Sequence, residues 1–471
     1  MRNLLSSFAI FIGWALSSAS AQTVMSPTAW IEHVRDDLLP FWDMPDAWGQ
    51  PVGNFPSRRC NTGAAFVRDT PCEEVARIPW IADEQQFVVA LSRQIYAYGV
   101  AFHLTGEPRY LTFAEAGARH LIAHGIDQER GVFFTRLDPG TFVGQSDLDD
   151  RTSQMQAYGM LGLAFLYYLT GREALLTELL AIARRFQQDH LDVERGLYVF
   201  PGDRGDRVTL ASQLDHLNAY MQLLSRILPD DARKPWLREM ERLADTIVDL
   251  FFVENLGLFS NERINGERQS DYDFGHSVKA FWFIRMAGAA VGRPDLVEWA
   301  EARGLTLIEK AFVADTGSWA LGYGPDFRRD LTPMSWVHAE LSQFTASLAL
   351  SNADLWPRLA RVNRFWMRSF VDPETGGVWD RLDAQTGAPV TSPPKHWHWK
   401  AGYHSFEHAM VGHITAGAAT SKPIRLHFAR DEANAMPFQP YYFTARVAGI
   451  EIRSTPDGRD LQTVTFSDVD W

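Results

Sequence analysis

The sequence predicts an all-α protein in which about twelve helices close into an (α/α)6 barrel, with a small β appendage at the C-terminus. Three features predict it. A glycine–aromatic beat returns about every sixty residues, and the stretches between beats carry apolar residues at helical spacing. Beyond Gly417 both patterns stop and short alternating runs replace them.

Five segments form the beat, each running from an acidic residue to a glycine followed by aromatic or apolar residues. They are Asp127 to Gly131-Val132-Phe133, Asp192 to Gly196-Leu197-Tyr198, Glu254 to Gly257-Leu258-Phe259, Asp315 to Gly317-Ser318-Trp319, and Asp372 to Gly377-Val378-Trp379. The glycines lie 65, 61, 60 and 60 residues apart, and a weaker sixth, Gly63-Ala64-Ala65-Phe66, precedes Gly131 by 68. A fixed period of this kind is the signature of a repeat architecture.

Between beats, helical segments are expected to begin near Thr28, Glu84, Glu107, Arg151, Glu173, Thr209, Pro235, Tyr272, Pro294, Met334, Ala353 and Ala401. Short links such as Thr105-Gly106, Thr170-Gly171 and Gly292-Arg293-Pro294 join them into antiparallel hairpins. The beat segments then connect one hairpin to the next as small turns or β-ribbons. Six hairpins in series leave no open end if alternate helices form an inner ring inside an outer one; the alternative, an open solenoid, usually has shorter and more uniform repeats. The tail carries alternating runs at Ile424–Phe428, Tyr442–Ile452 and Leu461–Phe466 with a turn at Pro456-Asp457-Gly458, so it covers one barrel face or contacts another copy, as in a homodimer.

The chain opens with Arg2, an apolar run from Leu4 to Leu16, and Ala19-Ser20-Ala21 before Gln22. This is the pattern of a cleavable signal peptide and gives three units: signal peptide 1–21, barrel 22–420 and extension 421–471. The mature protein is expected in the periplasm or outside the cell. No later stretch reaches the ~18 apolar residues of a membrane helix. In such a compartment Cys60 and Cys72, the only cysteines, are expected to pair as a disulfide. A net charge of −13 without a long basic run argues against nucleic acid and anionic membrane as partners. Sixteen tryptophans either fill a large core or line a sugar groove, where rings stack on pyranose faces. No nucleotide or metal motif of convincing spacing is present, so no cofactor is expected.

Polar residues on inner helices need a partner or a function. Arg93, Gln154, Asp215, His216, His276, Glu340 and His404 fall there. His276 and His404 each occupy the first turn of an inner helix beside a glycine, where the helix dipole disfavours imidazolium. Their separation of 128 residues, near two beats, suits two helices facing one cavity. The run Lys395–His404 packs two Trp, one Tyr, three His and two Lys together, more than a core requires.

Asp273-x-Gly275-His276-x-x-x-x-x-Trp282 resembles the helix-eight motif of the N-acylglucosamine 2-epimerase superfamily, and Lys395-x-x-x-Trp399-Lys400-x-x-Tyr403-His404 resembles its last-helix motif. Trp336-x-x-Ala339-Glu340 and Ser92-Arg93-Gln94 are similar to its tenth- and second-helix signatures, and the similarity runs over roughly residues 28–417. The resemblance implies an (α/α)6 barrel and proton transfer at C2 of an open-chain sugar, by C2 epimerisation or aldose–ketose isomerisation. A C2 proton beside an aldehyde is removable only if a base is poised there and the enediolate oxygen is stabilised. Epimerisation needs an acid/base group on each face of the planar intermediate. By resemblance, His276 and His404 hold these roles, Arg93 binds substrate oxygens and Glu340 holds hydroxyls or orients a histidine. Trp282, Trp336, Trp397 and Trp399 then shape the sugar site.

Three positions depart from the pattern. Where relatives usually carry Glu three residues after the first His this chain has Lys279, and where they carry Arg three residues after the second His it has Glu407. The expectation is one acid–base pair across the site with its charges exchanged. On helix six the usual His-x-His becomes Gln213-Leu214-Asp215-His216, so either Asp215 or His216 takes the place. Two rival readings remain at this point. One is a glycosidase or lyase on the same barrel using a pair among Asp149, Asp150, Asp215, Asp273 and Glu340; the other is a non-catalytic sugar-binding protein.

Overall fold

Among the described residues, twelve long helical segments alternate between two environments, and the alternation is written in their composition. Val88–Thr105 (α2) is buried along its whole length, and Ser153–Thr170 (α4), Phe274–Val291 (α8), Ser335–Ala349 (α10) and Tyr403–Thr420 (α12) nearly so. Helices apolar on every side belong inside. With the segment 210–224 (α6), they form a closed inner ring in which α12 returns to pack on α2. The outer helices are one-sided. Asp230–Phe251 (α7), for example, buries Met240, Leu243, Ala244, Ile247 and Phe251, spaced to make one stripe. Segment 27–42 (α1), segment 108–125 (α3), Glu173–His190 (α5), Pro294–Ala311 (α9) and segment 353–370 (α11) complete the outer ring. This computed structural model describes residues 24–78, 85–145, 152–199, 207–324, 326–431, 436–455 and 458–471. The signal segment 1–21, Asp149, Asp150 and the Pro456-Asp457 part of the tail turn lie outside the described residues.

The expected starts lie close to the observed ones, with two instructive shifts. Helix α2 begins at Val88 because Gln86–Phe87 pair first with Arg136–Leu137 as a ribbon. Helix α7 begins at Asp230 and carries Pro235 inside it as its sixth residue, at the cost of one i→i−4 bond.

The beat is a hairpin. Ile126–Asp127 pairs with Val132–Phe133, Leu191–Asp192 with Leu197–Tyr198, Phe252–Val253 with Leu258–Phe259, and Phe312–Val313 with Ser318–Trp319. Each glycine of the beat has φ between +63° and +77°, the left-handed conformation that a side chain disfavours. Each ribbon leads from an outer helix to the next inner one, and the fourth residue of that helix holds it. Gln156 bonds both backbone groups of Phe133, Gln213 both of Tyr198, Ser277 Oγ accepts from Phe259 N, and His338 Nε2 accepts from Trp319 N.

In the tail, Ile424–Phe428 (β1), Thr444–Ser454 (β2) and Asp460–Asp470 (β3) form an antiparallel sheet ordered β1-β3-β2. The tail covers the barrel end where the inner helices finish. Arg430 Nη2 donates to Tyr168 O at 2.8 Å, Ala429 N to Leu169 O at 3.0 Å, and Arg226 Nη2 to Phe443 O at 3.2 Å. At the opposite end, where the inner helices begin, the described residues leave the barrel open to a pocket. Among the described residues, no helix is long and apolar enough to cross a membrane.

Candidate active site

At the open end the first turns of the inner helices converge on a pocket of about 300 Å³. Arg93, His276, Lys279, Trp336, Trp397, Trp399, Lys400 and His404 line it, together with Gln154, Tyr158, Met334, Asp380 and Arg381. A larger cleft of about 400 Å³ lies among the outer loops, lined by Asp46, Arg58, Phe66 and Gln86 among others, and among the described residues no histidine lines it.

His276 is set by Asp273. The Asp273 side chain caps α8, accepting from His276 N at 2.6 Å, and lies 2.7 Å from His276 Nδ1. Asn261 Nδ2 donates to the same carboxylate at 2.8 Å. With Nδ1 held, Nε2 is the free nitrogen. Burial disfavours the imidazolium, but the Asp273 charge and hydrogen bond outweigh it and raise the His276 pKa above 6.5. The expectation that both histidines are biased to the neutral form therefore fails at His276. His404 behaves as expected: burial, then the positive Arg93, Lys279 and Lys400, hold it well below 6.5. The indole of Trp336 lies between the two rings, 4.9 Å from His276 and 6.1 Å from His404. Gly275 makes room for it, since a Cβ there would fall 2.5 Å from that ring.

The crowded segment before α12 divides in two. Lys395 donates to Asp372 Oδ2 at 2.6 Å and to Gly376 O at 2.7 Å; His396 accepts from Arg59 Nε at 3.3 Å; His398 stacks on Phe87. These residues anchor the segment, and Trp397, Trp399 and Lys400 face the pocket. The loop beneath is closed by the Cys60–Cys72 disulfide, and its Asn61 side chain accepts from Lys395 N at 2.8 Å. Burial lowers the Lys400 ammonium to about 8, against the opposing pull of Asp380. Arg93 stacks on the Tyr158 ring at 4.0 Å and donates to Trp399 O at 2.7 Å.

Beneath the pocket sits a buried charge network. Lys279 Nζ donates to Asp215 Oδ1 at 2.6 Å and to Tyr158 Oη at 2.9 Å, and Gln154 donates to Asp215 Oδ2 at 2.8 Å. Burial opposes both charges, yet each stabilises the other, raising Lys279 and lowering Asp215. Glu340 Oε1 is 3.6 Å from His404 Nε2. Burial above all raises Glu340 to about 8, with Glu407 and Asp215 adding to it and Lys279 opposing.

Three sequence expectations need correction. Asp215, not His216, takes the helix-six place: His216 points outward, stacked against Phe186 and Tyr198 and bonded to Ser153 and Tyr220. Trp282 does not line the sugar pocket; it is buried deeper, against Phe283 and Tyr442. Lys279 is not the direct partner of Glu407, because its ammonium is committed to Asp215. Glu407 instead accepts from Tyr441 of the tail at 2.6 Å. The sequence reading also missed Tyr158, which lies one helical turn beyond Gln154, and Asp380-Arg381, which directly follow the last beat.

The sequence profile of the N-acylglucosamine 2-epimerase (GlcNAc 2-epimerase) family matches residues 75–408. Among solved structures, the cellobiose 2-epimerase of Spirochaeta thermophila superposes with a TM-score of 0.68 at 19% identity, covering 84% of this chain and 97% of that one. The cellobiose 2-epimerase of Bacillus thermoamylovorans gives 0.67 at 18%, covering 82% and 98%, and a D-mannose isomerase gives 0.64 at 18%, covering 82% and 96%. At these identities the structures speak for the (α/α)6 fold, and the profile, spanning most of the chain, speaks for the lineage. The chain belongs to the N-acylglucosamine 2-epimerase family.

Proposed function

We propose that this carbohydrate epimerase/isomerase moves the C2 proton of an open-chain aldose between His276 and His404. One observation carries the reading: two histidines from α8 and α12 line the same pocket in opposite protonation tendencies. A neutral His404 is the base that takes the C2 proton, and a cationic His276 supplies one to the other face. The reverse reaction exchanges the roles. The negative charge that grows on the enediolate oxygen meets Arg93 and Lys400, in a site where burial strengthens each interaction. Trp336, Trp397 and Trp399 offer ring faces to the sugar. Aldose–ketose isomerisation needs only one of the histidines to carry the proton between C2 and C1.

Two of the carboxylates open to the rival hydrolase are already committed. Asp215 is matched to Lys279, Gln154 and Tyr158, and Asp273 to His276 and Asn261. Export to the periplasm or beyond is part of the proposal, supported by the leader-like first residues and by the disulfide.

The test is incubation of the mature protein with free aldoses and disaccharides in D2O, following C2–H by NMR. Deuterium wash-in is expected, falling at least ~100-fold in His276→Ala and in His404→Ala. Glycosidic cleavage instead, or wash-in unaffected by both substitutions, would sink the reading.

A further inference from the structure

The floor of the barrel is finished by residues beyond the reach of the family profile, which stops at residue 408. Tyr441 and Tyr442 enter from the tail with rings stacked 3.8 Å apart, and both are buried. Tyr441 Oη donates to Glu407 Oε1 at 2.6 Å and accepts from Tyr96 Oη at 3.0 Å. Its backbone N–H donates to Tyr168 Oη at 3.0 Å, which fixes the ring's point of entry.

Glu407 stands one turn below His404 on α12, and Glu340 approaches from α10. Both carboxyls are only 1% exposed, and Glu340 Oε1 and Glu407 Oε2 have no hydrogen-bond partner among the described residues. The charged and titratable groups acting on Glu340 are Lys279 and His276 of α8, Asp215 of α6, Glu407, His404 and Tyr403 of α12, and Tyr442 of the tail. Those on Glu407 are Tyr441 and Tyr442 of the tail, Tyr403 of its own helix, Tyr96 of α2, Glu340 of α10 and Lys279. The Lys279 ammonium near both is already matched to Asp215. Two carboxyls buried without a cation of their own do not both ionise, so one of them keeps its proton. A hydrogen bond donated to one of them favours its ionised form and leaves the proton on the other.

We propose that Tyr441 is a positioning residue of the active centre: its hydroxyl favours the carboxylate at Glu407 and so leaves the proton on Glu340, beside His404. The placement stands on the hydrogen-bond geometry; its consequence for turnover rests on the proton-transfer reading given above. A protonated Glu340 donates to a sugar hydroxyl, or to a histidine, where a carboxylate only accepts. Burial raises both carboxyls, Glu340 to about 8, and at Glu407 the hydrogen bonds from Tyr441 and Tyr403 oppose that rise. The tail thereby takes part in the chemistry from the far side of the barrel.

Two measurements on the full chain test it. With Glu carboxyl carbons labelled with carbon-13, the resonances lost in Glu340→Gln and Glu407→Gln assign the pair. In Tyr441→Phe the Glu340 signal is expected to titrate lower by roughly half to one pH unit, the range that a weakened charged hydrogen bond gives. Glu407→Gln moves it the same way without touching the tail, and adding Tyr441→Phe moves it no further. A Glu340 titration unchanged in either single variant overturns the proposal, whether or not any sugar turns over. For activity, Tyr441→Phe draws the alkaline limb of kcat toward acid, lowering the rate at pH 8 roughly three- to tenfold at unchanged KM. That displacement is absent in a Glu340→Gln background. A uniform loss at every pH makes Tyr441 a packing residue and also overturns the proposal. Absence of C2 exchange in the unsubstituted protein refutes the reaction reading, and the carboxyl titration still decides Tyr441.

Discussion

Asp273 serves twice with one carboxylate, as cap of α8 and as partner of His276, and the two roles can be separated. Asparagine still caps a helix but carries no charge. In Asp273→Asn the burial of His276 is no longer opposed, so its pKa falls below 6.5 instead of standing above it. The sign follows directly. The Asp273–His276 pair stabilises the fold fully below about 6.5 and loses that contribution as pH rises through the raised folded value. The acid form of His276 is lost over the same interval. Deuterium wash-in by Asp273→Asn is therefore expected to fall roughly 10- to 100-fold at neutral pH and to recover toward acid. A pH–rate profile that keeps its alkaline limb in place would contradict the role given to His276. The two histidines were legible in the sequence because a glycine-flanked helix start and an aromatic crowd mark them. His216 and Trp282 were misread for geometric reasons. One residue is about 100° around a helix, enough to turn His216 away from the axis, and Trp282 lies about 9 Å deeper than His276.

Each ribbon is held at the same place in its repeat, and this explains a period of sixty residues better than core packing does. Packing tolerates drift, but a side chain that bonds a named backbone group does not. Gln213 is the clearest case: Oε1 accepts from Tyr198 N at 2.9 Å and Nε2 donates to Tyr198 O at 2.7 Å, both buried. Gln213→Leu keeps the volume and leaves two backbone groups unpaired, so a loss of roughly 2–4 kcal/mol is expected in denaturant unfolding. A loss under about 0.5 kcal/mol would mean that the ribbon is held by its glycine turn alone. The glycines of the beat were visible in the sequence and named the hairpins. The residues that tie them down were not, because they change chemistry from Gln to Ser to His while keeping their position.

At the scale of the molecule, the open and covered ends of the barrel have different origins. The open end is family architecture, whereas the covered end is built by a segment that the alternation of its strands revealed only as a small sheet. Nothing in that alternation shows that Tyr441 and Tyr442 descend into the barrel, since their depth depends on the path of the chain through Arg430 and Phe443. The consequence can be measured by truncation. Removing residues 421–471 strips Leu426, Phe428, Val464 and Phe466 from the core, uncovers Arg226 and Arg285, and leaves Glu407 buried without its phenol. An independent appendage would come away and leave the barrel's Tm where it was. A floor cannot: unpairing one buried charged group alone costs about 3–5 kcal/mol, comparable to a large part of a domain's stability. The shortened chain is therefore expected to lose its cooperative melting transition, or to elute as aggregate on size exclusion. A monodisperse barrel of unchanged Tm would show that the tail merely rests on the end it covers.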